Sequence, residues 1–435
     1  LLIDIKDWDA VVGLNSEIPL KGALSSQTLM IKGHGMMEKT AFHIQKTGGR
    51  YCLVAPSNKP FISLGVNHAG ALAEEDPFNL FLSKYEGNWN KATETVIKNF
   101  LDWGFNTAGY QSPFELHQHL PFMAEPYPYP AAIAYWLPKA DYPDVFDPLW
   151  ESKIKNTVTL MCALVKQNQR NLIGYYWTDT PRWDLDAARK HVGADWVSSI
   201  RSLPTSAPGK QRYLGFLKDR HVGNSSLLDS VYGFFPEATK PCDDKNFSTL
   251  RLDHPVVIKD DMEFLRLIAR RYYQVAGEAT RAADPVRLIF GDRYLGGDHP
   301  KEVIEEALPW IDVLSVQPLG IVFEEDLFDE LYEISKRPIL ICDHQSSFHT
   351  KEYPDTLWNQ LPDEATAAKG YHEYLTAAFK KPYIIGYHRC QYIDRYDKNN
   401  RLLKQGLLRE DETPYQQMVD EVKRTNQSIT KMIHQ

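Results

Sequence analysis

The chain has no apolar run approaching the roughly 18 residues that would cross a bilayer, so no membrane-spanning segment is expected. It also lacks any long basic run, and its formal charge of -8 is the wrong sign for a phosphate backbone. Nucleic acid is therefore not expected as a partner. Nowhere do two cysteines stand in a CxxC spacing, and the five present (Cys52, Cys162, Cys242, Cys342, Cys390) are an odd number. They read as free, buried thiols and fit neither a disulfide framework nor a zinc site. Internal repeats and low-complexity tracts are absent as well.

What is present is enough chain for one large core: 435 residues, 43% of them hydrophobic. Aromatic residues make up 12%, with 10 Trp and 23 Tyr. Such rings stack on the apolar faces of sugars, although cores and interfaces use them too. The chain opens on Leu1 rather than Met, which leaves a removed leader open.

Residues 1–55 carry short alternating stretches such as Ala41-Phe42-His43-Ile44 and Tyr51-Cys52-Leu53-Val54. They read as a small β-rich extension, ending at the turn-rich Pro56-Ser57-Asn58-Lys59-Pro60. From 56 to 435 strand-like and helix-like segments alternate, the pattern of βα units around a parallel sheet. Eight strands are expected, near residues 61–67, 106–110, 131–137, 172–178, 286–290, 313–316, 339–342 and 383–387. A long insertion over about 181–259, with one helix near 210–220, follows the fourth. The fold class is thus α/β, a (β/α)8 barrel, and continuous apolar runs such as Arg337-Pro338-Ile339-Leu340-Ile341-Cys342 suit strands buried on both faces.

In such a barrel the chemistry sits at the carboxyl ends of the strands. Those ends carry Asn67 and His68, then Tyr110 and Gln111, Trp136, Trp177 with Asp179 and Thr180, and Asp292 with Arg293. The later strands add Gln317, Asp343 with His344, and finally His388, Gln391, Tyr392 and Asp394. Carboxylates, amides, histidines and indoles converging on one mouth form a sugar-binding set. Glycoside hydrolysis needs one carboxylic acid to protonate the leaving oxygen and a second carboxylate to attack or to activate water. Asp179 and Asp343 are the two best-placed candidates, although a strand-end Asp is as readily a helix cap or an Arg partner.

Residues 53–67 (LVAPSNKPFISLGVN), Gly174-Tyr175-Tyr176-Trp177, Gly291-Asp292-Arg293-Tyr294 and residues 386–394 (GYHRCQYID) resemble agarase-like glycoside hydrolases of clan A. The resemblance covers about residues 50–400. It implies a catalytic Asn-Glu pair at the fourth strand end, with Glu as acid/base, and a nucleophilic Glu at the seventh. Here those positions read Asp179-Thr180 and Asp343. The acid/base Glu is missing, and the nucleophile is one methylene shorter.

Shortening both arms widens the gap between the carboxylates. A separation of roughly 6.5 to 9.5 Å admits a water and implies inversion, whereas about 5 to 5.5 Å implies a covalent intermediate. Asp179 as acid and Asp343 as base, with inversion, is the resulting expectation. The resemblance implies red-algal galactan oligosaccharides (agar, porphyran or carrageenan fragments) as substrate, bonds to 3,6-anhydrogalactose included, and a periplasmic or secreted setting, although unpaired cysteines suit a cytoplasm equally. Exo attack is expected because the long insertion after the fourth strand would wall off one end of a cleft. The rival for the missing acid is Glu125, which by these strand positions precedes the third strand and lies at the opposite rim. A catalytically inactive sugar-binding barrel, and a lyase or isomerase using His344 with Asp343, are the alternatives. No cofactor and no metal are expected, even with His68, His344 and His388 near the mouth, and a homo-oligomer is compatible with the sequence.

Overall fold

Eight parallel strands close a barrel in a computed structural model that describes residues 41–125, 142–179, 182–232, 250–297, 299–354, 356, 360–396 and 402–433. A three-stranded antiparallel sheet comes first, β1 (His43–Thr47), β2 (Arg50–Val54) and β3 (Pro60–Phe61). The barrel strands are β4 (Ser63–Val66), β5 (Thr107–Ala108), β6 (Phe122–Ala124), β7 (Leu172–Asp179), β8 (Leu288–Leu295), β9 (Leu314–Gln317) and β10 (Ile339–His344). Two short strands, β11 (Ser347–Phe348) and β12 (Gln360–Leu361), pair with each other, and β13 (Ile384–Arg389) closes the barrel between β10 and β4. The (β/α)8 architecture is the one expected, and seven of the eight strands fall where the apolar runs put them.

The third strand does not. It is Phe122–Ala124, paired with Leu172, Gly174 and Tyr175 of β7, whereas 131–137 lies outside the described residues. A three-residue strand needs little apolar sequence, so the longer run downstream was the stronger signal. The correction places Glu125 directly after the third strand, at the carboxyl-end rim and not the opposite one.

Two apolar clusters divide the core. Ile173, Tyr176, Phe290, Val313, Leu340, Cys342 and Ile385 fill the barrel lumen together with Phe42 and Leu53 of the N-terminal segment. The small sheet therefore plugs the amino-end rim. The other cluster joins the outward faces of the strands to the helices, chief among them Pro255–Ala283, whose buried face includes Phe264, Leu265, Ile268, Tyr272 and Tyr273. The insertion after β7 carries helices over Leu185–Val192, Trp196–Arg201, Pro208–Arg220 and Ser225–Tyr232, more than the one expected. No helix among the described residues is long and apolar enough to cross a membrane.

Irregularities in the strands decide which side chains reach the lumen. Simple alternation would turn Asp292 inward after Phe290. Gly291 instead adopts a left-handed φ of +67, which reverses the phase so that Arg293 faces the lumen and Asp292 faces the helices. Register shifts at Tyr175/Tyr176 and Tyr176/Asp179 accompany it on the neighbouring β7. Gly65 serves differently, because a Cβ there would lie 2.6 Å from the imidazole of His388. Gly65→Ala is expected to cost about 1–3 kcal/mol through overpacking of the lumen, read as a lower urea midpoint; an unchanged midpoint would show that the lumen has slack.

Candidate active site

Arg293 lies at the centre of the carboxyl-end mouth, with no exposed surface. Its Nη1 is 3.0 Å from Asp179 Oδ1 and its Nη2 is 2.8 Å from Asp343 Oδ2. The guanidinium carbon sits 3.7 Å from the ring centroid of Tyr110, a cation–π contact strengthened by burial. The fourth- and seventh-strand carboxylates are thus brought together, with an arginine between them. A planar fork spanning both holds the two facing oxygens within about 8 Å of one another.

Each carboxylate has further donors. The Gln317 amide donates to Asp179 Oδ1 at 2.8 Å, and the Asn67 amide donates to Asp343 Oδ1 at 2.9 Å. Asn67 in turn accepts the Tyr110 N–H at 2.8 Å. His68 Nε2 lies 3.9 Å from Asp343 Oδ2, while its Nδ1 is 2.7 Å from Gln111 Oε1. Asn67, His68, Tyr110, Arg293 and Gln317, all read from the sequence as sugar-binding candidates, therefore surround the Asp pair.

Glu125 joins them. Its Oε1 accepts the Gln111 N–H at 2.9 Å, and its Oε2 is buried with no partner among the described residues. Burial pushes this carboxyl up to about 8, opposed by the charge of Arg293 and reinforced by that of Asp179. Burial thus favours the acid form of Glu125, whereas Asp179 is ion-paired with Arg293. Sequence reasoning had it at the wrong rim; the only signal for its true place was the triplet Phe122-Met123-Ala124 just before it.

Other expected site residues face elsewhere. Asp292 points into the helix layer, accepting from the Tyr272 and Tyr273 hydroxyls at 3.0 and 2.9 Å, and burial raises it to about 7. Trp177 points the same way and donates Nε1–H to Thr280 Oγ1 at 2.9 Å. His344 has Nδ1 2.8 Å from the Tyr387 hydroxyl and Nε2 3.1 Å from the Gly320 carbonyl. Its ring stacks on Tyr374 at 3.8 Å, and burial lowers it to about 3. His344 is thus enclosed between Tyr387, Gly320 and Tyr374. Tyr392 packs on Phe100 and accepts from Asn99 at 2.9 Å. In each case an outward phase on the strand, or a position beyond it, assigns the side chain to the barrel–helix interface.

His388 does face the lumen, but below the mouth and fully buried, with Nε2 2.8 Å from Ser63 Oγ. Burial lowers it to about 3. Gln391 is fully buried and donates to the Ile393 carbonyl at 2.6 Å. Trp136 lies outside the described residues. Of the cysteines, Cys162, Cys342 and Cys390 are buried and Cys52 is partly buried, none of them in a disulfide, while Cys242 is also outside the described residues.

Removing the arginine would leave two carboxylates facing each other in a dry site. Arg293→Leu is expected to lose about 3–5 kcal/mol of stability, and adding Asp179→Asn should restore part of it. Urea unfolding of the single and double variants checks this; a neutral Arg293→Leu would mean that the pairing is not what holds the mouth.

No protein-family model matches the chain. It is 23% identical over 397 residues to β-agarase B of Vibrio sp. (strain JT0107), covering 83% of this chain and 40% of that protein. To β-agarase A of the same strain it is 22% identical over 409 residues, covering 85% and 39%. The chain thus spans about two fifths of the length of these relatives. Among solved structures it is similar to an exo-β-agarase (TM-score 0.75, 17% identity, 91% of this chain and 66% of that one). It is likewise similar to the agarase AgWH50C (TM-score 0.74, 18% identity, 91% and 66%). At such identities the structural likeness establishes the (β/α)8 fold, and by sequence and fold together the chain resembles the agarase-like glycoside hydrolases.

Proposed function

We propose that the chain is a glycoside hydrolase acting on oligosaccharides of the agar type, with Glu125 as proton donor and Asp343 as the second carboxylate. The observation that carries this is the place of Glu125 directly after the third strand, its Oε2 buried without a hydrogen-bond partner among the described residues, where burial pushes the carboxyl up to about 8. A general acid must bring its own proton. Asp179 Oδ1 accepts from the Gln317 amide and pairs with Arg293, contacts that favour its ionised form over the acid form. Glu125 Oε2 has no competing partner among the described residues and is free to protonate a glycosidic oxygen.

Asp343, oriented by Asn67 and Arg293, is the base that takes a proton from the attacking water. Its side chain is one methylene shorter than the Glu of the resembled family, which favours room for that water and therefore inversion. The galactan class, cleavage at 3,6-anhydrogalactose and an exported setting rest on the resemblance to the agarases, and exo attack on the helical insertion after β7, which would wall off one end of a cleft. A second reading has one observation in its favour. Arg293 occupies both strand-end carboxylates, as it would in a barrel that binds sugar without turning it over.

Incubation with agar, porphyran and carrageenan oligosaccharides, followed by mass spectrometry, separates the two readings. Hydrolysis is expected, with kcat/KM falling as pH rises through about 8, because the acid form of Glu125 is lost there. Glu125→Gln should lower kcat/KM by about 10²–10⁴, and NMR of fresh product should show an inverted anomer. Activity that survives Glu125→Gln, or rises above pH 8, contradicts the assignment of the acid. Binding without any turnover favours the second reading.

A further inference from the structure

Three metal-ligating atoms meet at the mouth from three separate strand ends. His68 follows β4, Asp343 lies in β10 and Cys390 follows β13, and one ligand atom from each lies within 4.8 Å of the others. All three side chains are largely buried. Because 275 residues separate the first pair along the chain, no sequence spacing announces the group.

We propose that this cluster binds a thiophilic divalent cation of the zinc class, and that occupancy takes Asp343 out of the sugar reaction. Zinc bonds of about 2.0–2.3 Å set tetrahedral ligand atoms some 3.3–3.8 Å apart. The 3.9 Å between His68 Nε2 and Asp343 Oδ2 is already close to that, and Cys390 has to move in by about an ångström.

The surroundings suit a ligand set. The Gln111 amide oxygen faces His68 Nδ1 at 2.7 Å, and with the hydrogen on Nδ1 the imidazole turns Nε2 toward Asp343 Oδ2, as a metal ligand would. His68 and Gln111 both hold left-handed backbone, with φ of 54 and 53, a conformation that costs energy outside glycine and concentrates at functional sites. Asp343 Oδ1 is held by Asn67. The Arg293 charge beside Oδ2 is shared with Asp179, so it does not act on the cluster as an isolated cation. On binding, the Cys390 thiol releases its proton to solvent and ligates as thiolate. One sulfur with one imidazole and one carboxylate selects zinc over magnesium or calcium, and leaves a fourth position open.

The claim about Asp343 rests on its proposed role as base, whereas metal binding is measured without sugar. The chelator-treated chain is titrated with zinc by calorimetry and with cobalt by absorbance. One equivalent is expected, with a thiolate-to-cobalt charge-transfer band. Cys390→Ser should remove the band, and both it and His68→Asn, which tolerates the left-handed backbone, should weaken zinc at least about tenfold with unchanged circular dichroism. Absence of binding, or binding undiminished in both variants, overturns the site. Hydrolysis that continues at saturating zinc overturns the effect on Asp343. A chain that binds zinc through these ligands but hydrolyses nothing retains the site and loses only the proposed function.

Discussion

A single buried guanidinium organises the mouth of this barrel. Arg293 has no exposed surface, yet its charge is met on both sides, by Asp179 at 3.0 Å and Asp343 at 2.8 Å, with the face of Tyr110 against it. Desolvating such a cation is tolerable only because both partners are within ion-pair distance and are themselves hydrogen-bonded. The amides of Gln317 and Asn67 supply those further bonds. The backbone makes the arrangement available at Gly291, whose left-handed φ turns Arg293 inward and Asp292 outward.

The division of chemical labour follows from that pairing. In the resembled family a Glu after the fourth strand gives the proton, but here that strand ends in Asp179, engaged by Arg293 and Gln317. In the proposed reaction the proton donor stands on the adjacent third strand, where burial pushes Glu125 up to about 8. Two carboxylates in opposite states, one ion-paired and one protonated, are what hydrolysis of a glycoside requires.

Much of this was legible in the sequence. The strands around Leu172–Asp179, Ile339–His344 and Ile384–Arg389 stood out as apolar runs, and a residue just beyond such a run is at the rim by construction. That is why Asn67, Arg293, Gln317 and Asp343 could be read. What was hidden depended on phase. Asp292 and Arg293 are adjacent, and only Gly291 decides which enters the lumen; Trp177 and His344 likewise turned outward where a count along the strand left both faces open. Glu125 was misplaced because its strand, Phe122–Ala124, is three residues long and gives almost no periodic signal. The grouping of His68, Asp343 and Cys390 was invisible, since barrel closure and not spacing brings them together.

The central claim is that Glu125, and not Asp179, carries a proton at neutral pH. Carbon-13 NMR of selectively labelled glutamate carboxyls, with Glu125→Gln to assign the resonance, reads this directly. The Glu125 signal is predicted to titrate near 8. A midpoint in the ordinary carboxylate range, near 4.5, would contradict the account.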